Sequence, residues 1–65
     1  MISYAKLWRL LGRRGIQPKT LCTIAGISPM TLRALKKNQP VRMDVLQRVC
    51  ESLNVDVGDI CSFRR

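Results

Sequence analysis

Histidine is absent from this chain, and only four acids stand against twelve Lys and Arg. The three cysteines, Cys22, Cys50 and Cys61, are odd in number and have no tight spacing. That argues against a disulfide framework and against a CxxC-type zinc site. Without His, a four-ligand structural zinc has almost no material to use. The cysteines are expected to be reduced thiols that act as small core hydrophobes in a reducing compartment. The four acids, Asp44, Glu51, Asp56 and Asp59, are too dispersed for paired acid–base chemistry and read as helix-start caps and solvated charge. Aromatics are equally few. Trp8 reads as core, and with only Tyr4 and Phe63 beside it there is little for bases of a single strand to stack on. No run approaches the roughly 20 apolar residues of a membrane span. Lys6 and Arg9 also interrupt any signal-type apolar segment near the start. The chain is therefore expected in the cytoplasm, away from membranes. Its 65 residues suggest a single domain, 1–65, with a marginal core. Such a core seldom has room for a pocket of about 300 Å³, so an enzyme is disfavoured and no small-molecule cofactor is expected.

What the chain does have is hydrophobic content and concentrated positive charge. Hydrophobic residues make up 46% of it, too many for a disordered basic tail. Residues 1–43 carry nine Lys and Arg and no acid, while all four acids fall in residues 44–65. A folded domain of net charge +8 with its cations in one region points to a polyanion, nucleic acid ahead of an anionic membrane.

The punctuation is helical, and the spacing predicts five short helices with no strand. The first is expected from an N-cap at Ser3, with Tyr4, Leu7, Trp8 and Leu11 on one face and a stop at Gly15. The second opens at Gln17-Pro18 and ends at Gly26; proline suits the first helical position, and glycine a left-handed exit. The third has Ser28 as N-cap and Pro29 as its first residue, and is broken by Asn38, Gln39 and Pro40. The fourth runs from about Met43 to Leu53, with Leu46, Val49, Cys50 and Leu53 in one stripe and Asn54 as its exit. Asp56 then caps a short fifth element over residues 57–61.

Two helices joined by Gly26-Ile27-Ser28 have the layout of a helix-turn-helix. Cys22 is the small residue where the helices cross, Gly26 supplies the turn, and Ile27, Leu32 and Leu35 are spaced to anchor the second helix. The stretch Leu21-Cys22-x-x-Ala25-Gly26-Ile27-Ser28-x-x-x-Leu32-x-x-Leu35 resembles the helix-turn-helix of Cro-like (XRE) phage-repressor regulators. The likeness extends to a subgroup of very short bacterial regulators. Tyr4, Leu7 and Trp8 match its start, and Leu46, Cys50, Leu53, Asn54, Asp56, Gly58, Asp59 and Ile60 match its end. The resemblance implies an all-α, lambda-repressor-like DNA-binding domain whose third helix enters the major groove of double-stranded DNA. Two departures stand out. Pro18 replaces a polar residue that commonly bonds a phosphate, and Pro29 occupies a position often polar in relatives.

With Leu32 and Leu35 pointing inward, the opposite face of the third helix holds Met30, Arg33, Ala34 and Lys37. By resemblance Met30, Thr31, Arg33 and Ala34 face bases: Met30 a thymine methyl, Arg33 a guanine edge or a phosphate. Lys19, Ser28, Lys36, Lys37, Asn38, Gln39 and Arg42 are placed on the sugar–phosphate backbone. A homodimer on a palindromic site is the economical arrangement, with the region Val55–Phe63 as its expected interface. An antitoxin-type interaction module, using the same fold to cover an acidic protein, is the alternative reading. A cationic membrane binder fits less well, because Gly26, Pro29 and Pro40 chop the chain into short capped pieces.

Overall fold

Glycine, asparagine and proline set the limits of the helices in a computed structural model, which describes residues 1–64. Four α-helices form: α1 Ala5–Arg14, α2 Pro18–Ala25, α3 Pro29–Lys36 and α4 Met43–Leu53. Three of them end on a residue in the left-handed region, Gly15 (φ 67°), Gly26 (φ 66°) and Asn54 (φ 56°). Asparagine tolerates this conformation better than most residues because its short polar side chain bonds locally. Pro18 and Pro29 are the first residues of α2 and α3, where an N–H has no helical partner to lose. The Ser28 hydroxyl accepts the Thr31 N–H at 3.2 Å, a true N-cap.

Three expectations need correction. Ser3 does not cap α1. Tyr4 occupies the cap position without a side-chain bond, and the Ser3 Oγ accepts the Ala5 N–H at 3.3 Å instead. The reason is that Ser3 is held in a strand, which removes it from the helix entrance by one residue. That strand is the second correction, because the fold is not strictly all-α. β1 (Ile2–Ser3) and β2 (Ser62–Phe63) pair antiparallel, Ile2 opposite Phe63 and Ser3 opposite Ser62. The pairing continues outward, where the Arg64 N–H donates to the Met1 carbonyl at 2.6 Å. Two-residue strands are too short to show a period-two pattern, so no periodicity marks them.

The third concerns the fifth helix, which is a single 3₁₀ turn, Val57–Asp59. A capping box closes it, in which the Asp56 side chain takes the Asp59 N–H and the Asp59 Oδ2 takes the Asp56 N–H at 3.0 Å. The Ile60 N–H then bonds the Val57 carbonyl at 3.1 Å, an i→i+3 closure. Ile60 turns fully inward at that point, so the chain leaves the helical path to reach β2.

The core lies between α1, α2, α4 and the inner face of α3. Tyr4, Leu7, Leu11, Leu21, Leu35, Val49, Leu53 and Ile60 are completely or almost completely buried. Each such leucine contributes about 1.5–3 kcal/mol by leaving water. Leu10 is also buried, although it lies off the expected stripe of α1, and Trp8 is half-buried against the core. Of the two leucines expected to anchor α3, only Leu35 enters the core. Leu32 is half-buried and lies outside the core cluster. It is three residues earlier, about 60° round the helix, and so sits on the flank. The thiols are free: Cys50 is buried and Cys22 and Cys61 are half-buried. Burial, then the nearby Asp56, Cys61 and Asp59, push the Cys50 thiol up from its ordinary value, which keeps it protonated.

One clamp spans the fold. The Tyr4 N–H donates to the Asn38 Oδ1 at 3.0 Å, and the Tyr4 hydroxyl donates to the Gln39 carbonyl at 2.9 Å. Tyr4 is wholly buried, so both of its donors depend on this loop between α3 and α4. Asn38 adopts φ 55° to make the turn.

Candidate nucleic-acid interface

The turn between α2 and α3 is built from the inside. Gly26 in its left-handed conformation lets its own N–H and that of Ile27 bond the Cys22 carbonyl, the latter at 3.1 Å. Ile27 is buried beneath the turn. Pro29 and the Ser28 cap then start α3 at a set angle, and Leu35 fixes its rotation. With Leu35 turned inward, Met30, Arg33 and Lys37 lie on the far side of the helix and are exposed, Met30 at 80%. Solvated apolar surface of that size on an otherwise cationic face has no folding benefit.

The two flanks of α3 differ. On one, Thr31 and Ala34 are half-buried and, with Ser28 and Met30, line a shallow depression shared with Pro40, Val41, Arg42 and Val45. Its lining is mostly apolar, and the Thr31 hydroxyl sits within it, 3.0 Å from the Ser28 Oγ. On the other flank, Lys36 lines a depression together with Trp8, Leu11, Gly12, Ile16 and Pro18. Pro18 adjoins the exposed Lys19, so Lys36 lies towards the α2 start that carries Lys19. The face therefore has a central strip of Met30, Arg33 and Lys37, a mixed pocket to one side and cations to the other.

The expected backbone-contacting residues are not equivalent. Lys19, Lys36 and Lys37 are exposed and make no side-chain bond among the described residues. The Ser28 hydroxyl already serves Thr31, and the Asn38 Oδ1 already serves Tyr4, which leaves the Asn38 amide N–H groups as its only outward donors. The Gln39 carbonyl is taken by Tyr4, while its side chain is exposed. The Arg42 Nε lies 3.3 Å from the Asp44 Oδ1, with the two side chains 85% and 51% exposed. Such a solvated pair is worth about 0–1 kcal/mol and leaves the guanidinium tip open. Sequence reasoning missed the Asn38 clamp. The signal available was that a Tyr hydroxyl in a core position needs an acceptor.

Among the described residues no three His, Cys, Asp or Glu side chains converge as a metal site, and no helix is long and apolar enough to cross a membrane.

Comparison with known proteins agrees with this geometry. The Cro/C1-type HTH DNA-binding domain matches residues 6–64. Among solved structures, the crystal structure of the transcriptional regulator VanUg, Form II, is similar, with a TM-score of 0.90 and 43% identity. The match covers 94% of this chain and 81% of that one. No curated protein sequence matches the chain. A domain match over nearly the full length, together with a regulator of the same fold at this identity, establishes that the chain belongs to the Cro/C1-type helix-turn-helix DNA-binding family.

Proposed function

We propose that the protein is a sequence-specific regulator of transcription that inserts α3 into the major groove of duplex DNA. The supporting observation is the outward face of α3, where Met30, Arg33 and Lys37 are solvent-exposed while Leu35 holds the helix from behind. Met30, Thr31, Arg33 and Ala34 read bases. Arg33 has the reach for a bidentate guanine contact, and Met30 offers apolar surface to a thymine methyl. Thr31 and Ala34, recessed in the flanking depression, tolerate a methyl-bearing base edge. Lys19, Lys36, Lys37 and the tip of Arg42 hold phosphates on both sides of the groove, with Gln39 and the Asn38 amide beside them. The Ser28 oxygen accepts the Thr31 N–H, and its hydroxyl hydrogen remains a donor for a phosphate when Thr31 supplies the hydrogen of their mutual contact.

Eight residues of α3 span only about 12 Å, enough for a few base pairs. Useful specificity therefore calls for two copies on a two-fold site. Selection of bound duplexes from a random pool tests the reading, with an inverted repeat as the expected product. Each of Lys19→Ala, Lys36→Ala and Lys37→Ala should shallow the log–log salt slope by about one unit. Arg33→Ala should cost about 1–3 kcal/mol on the selected site and relax preference at one position. Failure to enrich any duplex, or slopes unchanged in all three lysine variants, overturns the proposal.

A further inference from the structure

Gly12 stands inside α1, and nothing in the fold calls for a glycine there. Its φ is not positive, and a β-carbon placed on it meets no atom within 4 Å. Glycine within a helix is costly relative to alanine, because the unfolded chain has more freedom to lose. What the missing side chain leaves open is one wall of a depression of about 390 Å³. Trp8, Leu11, Ile16 and Pro18 form its other walls, and Lys36 supplies the single charge. The lining is mostly apolar and no acid belongs to it. Trp8 is half-buried and leaves part of its surface uncovered, while the Lys36 side chain makes no bond among the described residues. Because α1, the start of α2 and the end of α3 form this hollow at the surface, the small core sets no limit on its size.

An apolar hollow with an aromatic wall and one uncompensated cation fits a small aromatic molecule that carries a single negative charge. Its rings cover the indole and the aliphatic side chains, and its anionic group pairs with the ammonium. The volume falls within the range of about 300–1,000 Å³ common for small-molecule sites. A peptide or a nucleic-acid strand brings further polar groups and charges, for which this lining has no partners. We propose that the depression between Trp8, Gly12, Pro18 and Lys36 is a binding site for a small aromatic carboxylate. The consequence for regulation rests on the DNA reading given above. There Lys36 holds a phosphate, so a carboxylate on its ammonium removes one contact from the duplex. The coupling is reciprocal, and DNA weakens the carboxylate by the same factor. Met30, Thr31, Arg33 and Ala34 do not line the hollow, so the ligand lowers affinity without changing the preferred sequence.

Naphthylacetate is the probe and naphthylacetamide its uncharged counterpart. Nitrogen–proton NMR on the full chain reads the site directly, because Trp8 is the sole tryptophan and its indole N–H gives one resonance. The carboxylate should produce saturable shifts centred on the Trp8 indole and the Gly12 amide. The acetamide on wild type, and the carboxylate on Lys36→Gln, should each bind about tenfold more weakly. Gly12→Leu has room for its β-carbon and occupies the hollow. It should remove carboxylate binding while its circular dichroism spectrum and its DNA affinity without probe stay those of wild type. With the probe at saturation, wild type should bind its selected duplex with a salt slope shallower by about one unit, and Gly12→Leu should not respond. Absence of saturable shifts at Trp8, shifts spread evenly over Lys6, Arg9 and Arg13, or equal binding of the acetamide overturns the site. So does carboxylate binding unaltered by Gly12→Leu. A loss of DNA affinity in Gly12→Leu without probe also overturns it, since the hollow then takes the sugar–phosphate backbone itself. Saturable binding with an unchanged salt slope keeps the site and overturns its link to the Lys36 phosphate contact. A wild type that binds no duplex even without probe refutes the DNA reading, and the NMR titration then decides the site alone.

Discussion

Substituting Asn38 with Ala removes two things at once. The first is the acceptor for the Tyr4 N–H, a bond of 3.0 Å to a residue with no exposure. An orphaned buried donor costs about 1–3 kcal/mol. The second is tolerance of φ 55°, since a β-carbon without a local polar partner pays about 1–2 kcal/mol in the left-handed region. Together these predict a loss of roughly 2–5 kcal/mol, a large share of the 5–15 kcal/mol typical of a whole domain. At about 4–8 °C per kcal/mol in a chain this small, the midpoint of thermal unfolding should fall by about 8–40 °C. Asn38→Gly keeps the conformation and loses only the bond, so it should lie about 1 kcal/mol above Asn38→Ala. Asn38→Asp keeps an oxygen for Tyr4 and should stay within about 1 kcal/mol of wild type. It replaces the outward amide with a negative charge, however, and so should weaken DNA binding while the fold holds. Circular dichroism melts and a salt-controlled binding titration read both effects. An Asn38→Ala variant within about 0.5 kcal/mol of wild type would refute the clamp, and equal losses in the Ala and Gly variants would refute the conformational part.

Further outcomes follow from the same geometry. Leu35→Ala should cost about 2–5 kcal/mol in urea unfolding and Leu32→Ala only about 1 kcal/mol, because one side chain is fully buried and the other lies on the flank. Gly26→Ala should cost about 1–2 kcal/mol through backbone strain alone, since a methyl there meets no atom within 4 Å while φ stays at 66°. Stability should also fall on the alkaline side. Burial raises the Cys50 thiol above 9.0 and the Tyr4 phenol above 10.0, so the folded chain holds both protons longer than the unfolded one. Their contribution is complete below those unfolded values and is lost as pH rises through the folded ones. Denaturant midpoints measured upward from pH 9 should therefore decline, and Cys50→Ala should flatten the first part of the decline.

Helix limits were legible because each depends on a residue whose backbone preference is strong and local. Gly15, Gly26 and Asn54 end helices in the left-handed region, and Pro18 and Pro29 open them. The β1–β2 clasp was not legible, because its stability comes from bringing residues 2 and 63 together, and two residues per strand carry no period. Its presence also explains the misplaced cap. Ser3 has the chemistry of an N-cap, but strand pairing claims its backbone first. The fifth element is the converse case, since Asp56 does cap it, yet the same box that starts the turn closes it within three residues.

The recognition face follows the same logic. The far side of α3 could be placed from Leu35 alone, since one buried residue fixes the rotation of a helix. The pairing of Leu32 with Leu35 expected from spacing fails because an eight-residue helix lying on α2 presents only a narrow strip to the core, and Leu32 falls beyond its edge. What spacing could not supply was which polar side chains were already committed. Ser28, Asn38 and Arg42 look alike in sequence as phosphate donors, but in the fold they are bound to Thr31, Tyr4 and Asp44 respectively. The uncommitted cations, Lys19, Lys36 and Lys37, are therefore the ones whose removal should change the salt dependence most. Ser28 and Asn38 also hold the turn before α3 and the loop after it, so their replacement by Ala should lower affinity largely in step with stability, whereas the solvated Arg42–Asp44 pair leaves the Arg42 tip free for a phosphate.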